Sequence, residues 1–294
     1  MSVGPKLPRI VAVAVALSLV GSTISARVAA PEVRASGTYA VLVGAGDIGR
    51  CDLRTDESTA AILGRIEGTV FTTGDNVYPN GTASQFANCY GPSWGKHLSR
   101  TRPSPGNHDY HTAGASGYFD YFGARAGPPG RGYYAYNRGS WRIYSLNSEM
   151  LTDRQLDWLR ADLAANPRRC SMAYWHRPLY SSGPHGNYAP VRAFWRALQA
   201  AGAELIVNGH EHTYERFAIQ LPGGTRSLKG IRQFVVGTAG APLRPFETPK
   251  RNSVVRNSTD HGVLRLILRD GTYSWDFVTV RRSIRDSGSA RCHA

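Results

Sequence analysis

Four apolar runs in this chain each end on a side chain that a hydrophobic core rejects. TYAVLVGAGD closes on Asp47, GTVFTTGD on Asp75, CSMAYWH on His176 and AELIVNGH on His210. A short apolar run bounded by glycine reads as a strand buried on both faces, the kind found in parallel sheets. Helical spacing lies between the runs. Ile62, Leu63 and Ile66 share one face, and a Thr152/Gln155 capping box opens a segment with Leu156, Leu159 and Leu163 on one side. Pro190 stands where a helix would begin, ahead of Val191, Phe194, Trp195 and Leu198. WRIYSLN is a further strand. The last third is strand-rich: IRQFVVGTAG, VLRLILR and YSWDFVTV, the last two joined by an Asp270-Gly271 turn. Alternating β and α units predict one layered α/β domain over residues 38–285, followed by a tail over 286–294. No internal repeat or linker interrupts it.

The first residues belong to a different category. Lys6 and Arg9 precede the apolar run Ile10–Val20, and the small-residue stretch GSTISA follows. That is the anatomy of a secretory signal, here expected to end at Ala26, with a polar linker over residues 27–37. The apolar run falls well short of the roughly 20 residues a membrane-spanning helix needs. The chain is therefore expected to be secreted or extracytoplasmic. Its formal charge of +14 stays strongly positive after Lys6 and Arg9 are lost, which favours anionic partners: a phosphorylated substrate, nucleic acid or an anionic envelope polymer.

Four cysteines, Cys51, Cys89, Cys170 and Cys292, suit an oxidising compartment, and none lies in a CxxC. Cys51 and Cys89 follow two successive strands, so Cys51–Cys89 with Cys170–Cys292 is the most economical of the three pairings. Free buried thiols are the alternative.

The chemistry concentrates at the strand ends. Gly-Asp occurs twice there, in GDIG and GDNVY; GNHD supplies Asn107, His108 and Asp109; GHEH supplies His210 and His212. Singly, each has an ordinary explanation. Gly-Asp after a strand is most often a turn, GNHD can be a loop of Asx turns, and a lone His176 is commonly a hydrogen-bonded core histidine. Jointly they form an oxygen and nitrogen donor set without thiolates, the ligand chemistry of two hard or borderline cations. In an open α/β sheet the carboxyl ends of the strands are where ligands bind.

The ordered series GDIG, GDNVY, GNHD, Trp175-His176 and GHEH resembles the calcineurin-like metallophosphoesterases. Gly49 at the DxG spacing and Tyr78 at the end of GDNVY make it similar to the purple acid phosphatases among them. The resemblance covers about residues 38–280. It implies two β-sheets packed as a sandwich and flanked by helices, in αββα layers. It implies a first metal held by Asp47, Asp75, Tyr78 and His212, and a second held by Asp75, Asn107, His176 and His210, with Asp75 bridging. Iron is implied at the first position, and iron, zinc or manganese at the second. His108 would face the substrate phosphoryl group, and His185, nine residues after His176, would be a second substrate-facing histidine. Asp109 is a candidate to orient a neighbouring histidine, or simply a turn residue. With the first motif beginning at Asp47, the extra N-terminal β-domain of larger family members is not expected. Ala173-Tyr174-Trp175 before His176 departs from the family pattern conservatively.

The implied activity is hydrolysis of a phosphate monoester by direct attack of a metal-bound hydroxide. A phosphodiesterase or nucleotidase on the same scaffold is the alternative within the enzyme class. A non-catalytic basic protein that binds an anionic envelope polymer is the alternative outside it. His97, His111, His261 and His293 have no metal-like spacing, and only His111 is placed to visit the site mouth. The aromatic stretch Tyr118–Tyr136 reads as core and loop rings rather than a nucleic-acid platform. Asn80 and Asn257 match glycosylation sequons.

Overall fold

The computed structural model describes residues 1–4 and 39–293, and the domain lies within residues 39–293. Apart from residues 1–4, the expected signal segment and linker lie outside the described residues. Among those described, no helix is long and apolar enough to cross a membrane.

The first half of the domain runs β1 (Ala40–Ala45), α1 (Thr55–Leu63), β2 (Thr69–Thr72), the one-turn α2 (Ala83–Gln85), β3 (Thr101–Arg102), α3 (Ser116–Phe122), β4 (Tyr134–Arg138) and β5 (Trp141–Ser145). The second runs α4 (Asp153–Ala165), β6 (Ser171–Trp175), α5 (Arg192–Ala200), β7 (Leu205–Asn208), β8 (Tyr214–Phe217), β9 (Arg232–Val236), β10 (Ser253–Asn257), β11 (Gly262–Arg269), β12 (Thr272–Thr279) and β13 (Ile284–Arg291). Two mixed sheets result, ordered β13-β12-β11-β1-β2-β3 and β10-β8-β9-β7-β6-β5-β4. In the first, β1, β2 and β3 are parallel; in the second, β5, β6, β7 and β9 are.

Period-two alternation sorts the side chains. Met172 and Tyr174 of β6 face the core shared by the two sheets, where Phe71 meets Tyr174 and Tyr214 stacks on Phe277 with ring centroids 4.0 Å apart. Ala173 and Trp175 face the other way, onto Leu159 of α4 and Phe194, Trp195 and Leu198 of α5. Leu42 and Val43, successive residues of β1, are both fully buried, so the first sheet is also covered on both sides. The layers are helix, sheet, sheet, helix. Within the aromatic stretch, Tyr118, Phe122 and Tyr133 are buried, as core rings should be.

Two expectations need correction. Residues 286–291 are not tail but most of β13, paired antiparallel with β12. The strand is polar, yet Asp286 accepts hydrogen bonds from Tyr214, Arg216 and Trp275, and Gly288 leaves room for the Trp275 indole against it. The capping box at α4 is only half formed. Thr152 accepts from the Gln155 N–H, but the Gln155 side chain instead bonds the backbone of Asn147 and Met150. Both expected disulfides, Cys51–Cys89 and Cys170–Cys292, are present.

Candidate metal centre

The parallel strands of both sheets deliver their carboxyl ends to one edge. Asp47 lies just past β1, Asp75 past β2, Asn107 and His108 past β3, His176 directly after β6, and His210 just past β7. The turns that carry them are strained: Asp47, Asp75 and His210 have φ of 61°, 48° and 71°, a left-handed conformation costing roughly 1–3 kcal/mol apiece in non-glycine residues. Backbone bonds hold them there. Asp47 N–H donates to Gly74 O, Ile48 to Asp75 O and Gly49 to Asn76 O, at 2.9–3.0 Å, which zips the first two loops together. His210 N–H donates to Asp47 Oδ2 at 2.9 Å, tying the second sheet to the first. His108 N–H donates to Asp75 Oδ1 at 2.8 Å. Gly106 permits this approach, since a Cβ there would stand 2.2 Å from Asp75 Oδ1.

Seven side chains converge as two groups with one shared member. In the first, the Tyr78 hydroxyl donates to Asp47 Oδ1 at 2.8 Å and approaches Asp75 Oδ2 at 3.1 Å and His212 Nε2 at 3.2 Å. In the second, His176 Nε2 lies 3.2 Å from Asp75 Oδ2, 3.1 Å from His210 Nδ1 and 3.1 Å from Asn107 Oδ1. Asp75 Oδ2 belongs to both. Asp75, His176 and His210 each offer a donor atom within 4.8 Å of the other two. His176 Nδ1 donates to Thr73 O and His212 Nδ1 to Pro242 O, which turns each Nε2 inward, where it can offer a lone pair to a cation once deprotonated. Buried lone pairs crowded at this spacing, with no thiolate among them, fit cations of hard or borderline character.

In the metal-free protein, protons supply the positive charge at the centre. Burial, then the Asp47 and Asp75 carboxylates, push the Tyr78 phenol well above its usual range. Burial alone would lower His176, but the Asp75 ion pair outweighs it and carries the imidazole up to about 10. Burial would likewise raise Asp75, yet the charge of His176 holds it well below the usual carboxylate range. His210 is pushed far down by burial and by its cationic neighbours His176 and Arg177. Cations would replace these protons.

Around this centre, His108 stacks near Tyr78, with Nε2 3.9 Å from Asp75 Oδ2 and Nδ1 on Pro79 O. His111 packs on His108 at the rim. His185 comes from the second sheet's side: its ring is 4.4 Å from that of His210, and its Nδ1 is 3.4 Å from Glu211. Burial and the nearby Arg244 charge lower its pKa. Among the described residues Asp109 forms no hydrogen bond to a histidine ring. Its carboxylate instead accepts from Gly106 N–H and from both the backbone and the side chain of Asn76, pinning the GNHD loop to the GDNVY loop. Burial and the Asp75 charge raise it to about 7. His97, His261 and His293 bond backbone or Glu204 away from the centre.

Three residues at the site escaped the sequence reading. Glu211, fully buried between His210 and His212, has no hydrogen-bond partner on either oxygen among the described residues, with His185 Nδ1 approaching at 3.4 Å. A charged residue between two strand-end histidines was the available signal. Arg177 pairs with Glu149 and reaches His210 Nε2 at 3.3 Å. Arg244 reaches the His185 ring. Nothing local in the sequence marks either arginine.

The family model of calcineurin-like phosphoesterases matches residues 42–214. The chain is 26% identical over 212 residues to purple acid phosphatase 15 of Arabidopsis thaliana, covering 58% of this chain and 40% of that protein. It is 27% identical over 216 residues to acid phosphatase type 7 of Danio rerio, covering 58% and 48%. The matched chain thus spans less than half the length of these relatives. Among solved structures, the purple acid phosphatase PPD1 from yellow lupin (Lupinus luteus) seeds superposes with a TM-score of 0.69 at 20% identity, over 87% of this chain and 54% of that one. GAP50, the anchor in the inner membrane complex of Plasmodium, gives 0.69 at 12% identity over 87% and 90%. These two superpositions show a shared fold. With the family match they lead to one conclusion: the chain belongs to the calcineurin-like phosphoesterase family, and within it is similar to the purple acid phosphatases.

Proposed function

We propose that this protein is an exported phosphomonoesterase working on a two-cation centre. The observation that carries the reading is the pair of donor groups meeting at Asp75 Oδ2. Asp47, Asp75, Tyr78 and His212 would hold one cation; Asp75, Asn107, His176 and His210 would hold the other. Three oxygens and one nitrogen in the first set suit ferric iron, while two of each in the second suit iron, zinc or manganese in the divalent state. When bound, the two cations supply Lewis-acid stabilisation of phosphoryl charge and lower the pKa of coordinated water. The protein's part is to orient the ester. His108, partly exposed beside Asp75, is placed to donate a hydrogen bond to a phosphoryl oxygen. His108 lies beside Asp75 and Tyr78, and His185 against the His210 ring; either would pass a proton to the leaving oxygen. The N-terminal leader and the two disulfides support export.

The fold is also that of a protein described as an anchor, so a scaffold role without turnover is the competing reading. Seven converging polar ligands argue against it, because burying them without cations is costly. Elemental analysis of the purified chain, with hydrolysis of p-nitrophenyl phosphate and of bis-p-nitrophenyl phosphate, separates the two. Two metals per chain and a preference for the monoester are expected. Absence of metal together with both activities would overturn the proposal.

A further inference from the structure

The two helices outside the second sheet leave a groove between them of about 610 Å³, a volume in the range of sites that enclose a small-molecule ligand. α4 and α5 each return the chain between parallel strands, β5 to β6 and β6 to β7, so they lie side by side and point the same way. Toward their carboxyl ends the facing residues are small: Ala164 on one side, Ala197 and Ala200 on the other. Leu163 and Pro167 complete an apolar wall. Ser171 opens β6 and His176 follows its far end, which places the groove roughly 16 Å of strand away from the metal centre.

The floor is the outer face of the sheet. Ile143 and Met172 face the core between the sheets, so their neighbours Tyr144 and Ser171 turn toward the helices. Tyr144 is fully buried, and its hydroxyl has no hydrogen-bond partner among the described residues. Arg142 and Asp162 beside it donate to and accept from each other. A buried hydroxyl left in this state is unfavourable until a polar ligand atom meets it.

The rim carries Arg160 from α4, Arg196 from α5 and Arg168 from the loop entering β6. Arg160 lies 3.4 Å from Asp157 at the surface, and Arg168 reaches the Pro167 carbonyl at 3.4 Å. Among the described residues no carboxylate pairs with Arg168 or Arg196. Helix carboxyl ends favour nearby cations, but that alone accounts for neither the groove nor the unbonded hydroxyl beneath it. A second copy of this chain, at +14, would be repelled by such a rim, and a flat surface would not reach the floor.

We propose that the groove is a second ligand site, separate from the metal centre, for a small organic anion with an apolar body. The anionic head is met by the arginines and the Tyr144 hydroxyl, and the body lies against the alanines and Leu163. The site stands independently of the phosphoesterase reading.

The test is calorimetric titration of the full metal-loaded chain, with orthophosphate present to occupy the centre. Three probes separate the two requirements: 1-octanesulfonate has both charge and apolar body, methanesulfonate has the charge alone, and 1-octanol the body alone. Octanesulfonate is expected to bind at least about tenfold tighter than either, the scale of burying roughly two methylene groups or of one charge-assisted contact. The double variant Arg168→Gln/Arg196→Gln should weaken octanesulfonate about tenfold and leave octanol unchanged. Ala200→Leu, at an exposed helical position where leucine is tolerated, should fill the groove and weaken octanesulfonate about fivefold. Tyr144→Phe should weaken it about threefold, as loss of one hydrogen bond would. Octanesulfonate binding no tighter than methanesulfonate would reduce the groove to ordinary surface charge and overturn the proposal. Affinity unchanged in both the arginine variant and Ala200→Leu would place the ligand elsewhere and overturn it equally.

Discussion

Where β1, β2 and β7 finish, the chain takes left-handed turns, buries carboxylates beside one another and, among the described residues, leaves both oxygens of Glu211 without a hydrogen-bond partner. Where β6 and β7 begin, the opposite holds. There Cys170 is bonded to Cys292, Cys292 N–H donates to Gly271 O, Glu204 accepts from His293 N–H, and the Trp141 indole donates to Arg269 O. That edge joins the β11–β12 turn of one sheet to the strand starts of the other, and these groups are paired. The difference shows where this fold accepts unfavourable electrostatics and backbone strain, and where it supplies the offsetting order.

The strongest way to break this contrast is at the shared carboxylate. Asp75→Asn is expected to lose both metals and to cut monoester turnover by about 10³-fold or more, because each cation is worth several kcal/mol. The metal-free variant should still fold, but should unfold at a lower temperature than the metal-free parent, because the buried His176 imidazole loses its carboxylate partner. Elemental analysis, turnover and calorimetry check this. Two retained metals with normal turnover would remove Asp75 from its bridging position.

The disulfides sharpen the contrast. Replacing Cys170 and Cys292 by serine should lower stability by about 2–5 kcal/mol in urea titration, while metal content and turnover per folded chain stay unchanged. Replacing Cys51 and Cys89 opens a shorter loop and should cost somewhat less stability. It should also weaken metal binding, because that bridge clasps the loops leaving Asp47 and Tyr78. Equal loss of metal affinity in both double variants would show that the edges are not functionally separate.

The smallest effect is a slope. Without metal, Tyr78 and His176 both hold protons at neutral pH, the latter titrating at about 10. Below those values each proton must leave when a cation enters, so metal affinity should rise with pH, by about one log unit per pH unit for each proton displaced. Tyr78→Phe should reduce that slope by about one, measured by metal titration across pH. An unchanged slope would mean that the phenol is not displaced by metal. In the ferric-loaded parent the same substitution should also remove the visible charge-transfer band.

The strands that end in chemistry were readable in the sequence because they are buried on both faces and so appear as unbroken apolar runs. β8, with Glu215 buried in YERF, and β13, with its polar IRDSGSAR, were not, because the side chains that satisfy their polar residues lie far along the chain: Ser182 for Glu215, and Tyr214 and Arg216 for Asp286. At the site, the motifs located the donors, and the structure brings all seven to one edge. The partners of those donors could not be read. Asp109 and Asn76 meet across two loops, and Arg244 reaches the site only through its bond to His212. Gln155 shows the same limit on a smaller scale: the motif predicted its helix but not the use of its side chain.

The place of β1 in its sheet also bears on how the chain can be made. Its parallel neighbour β2 comes early, but its antiparallel neighbour is β11, with Ala40 opposite Leu268. Until almost the whole polypeptide has been synthesised, one side of β1 has no hydrogen-bonding partner, and the first sheet is missing half its strands. The loops bearing Asp47 and Asp75 therefore take their final form among the last events of folding. A nascent chain interrupted anywhere before β11 would expose a sticky, unpaired strand rather than a smaller working domain.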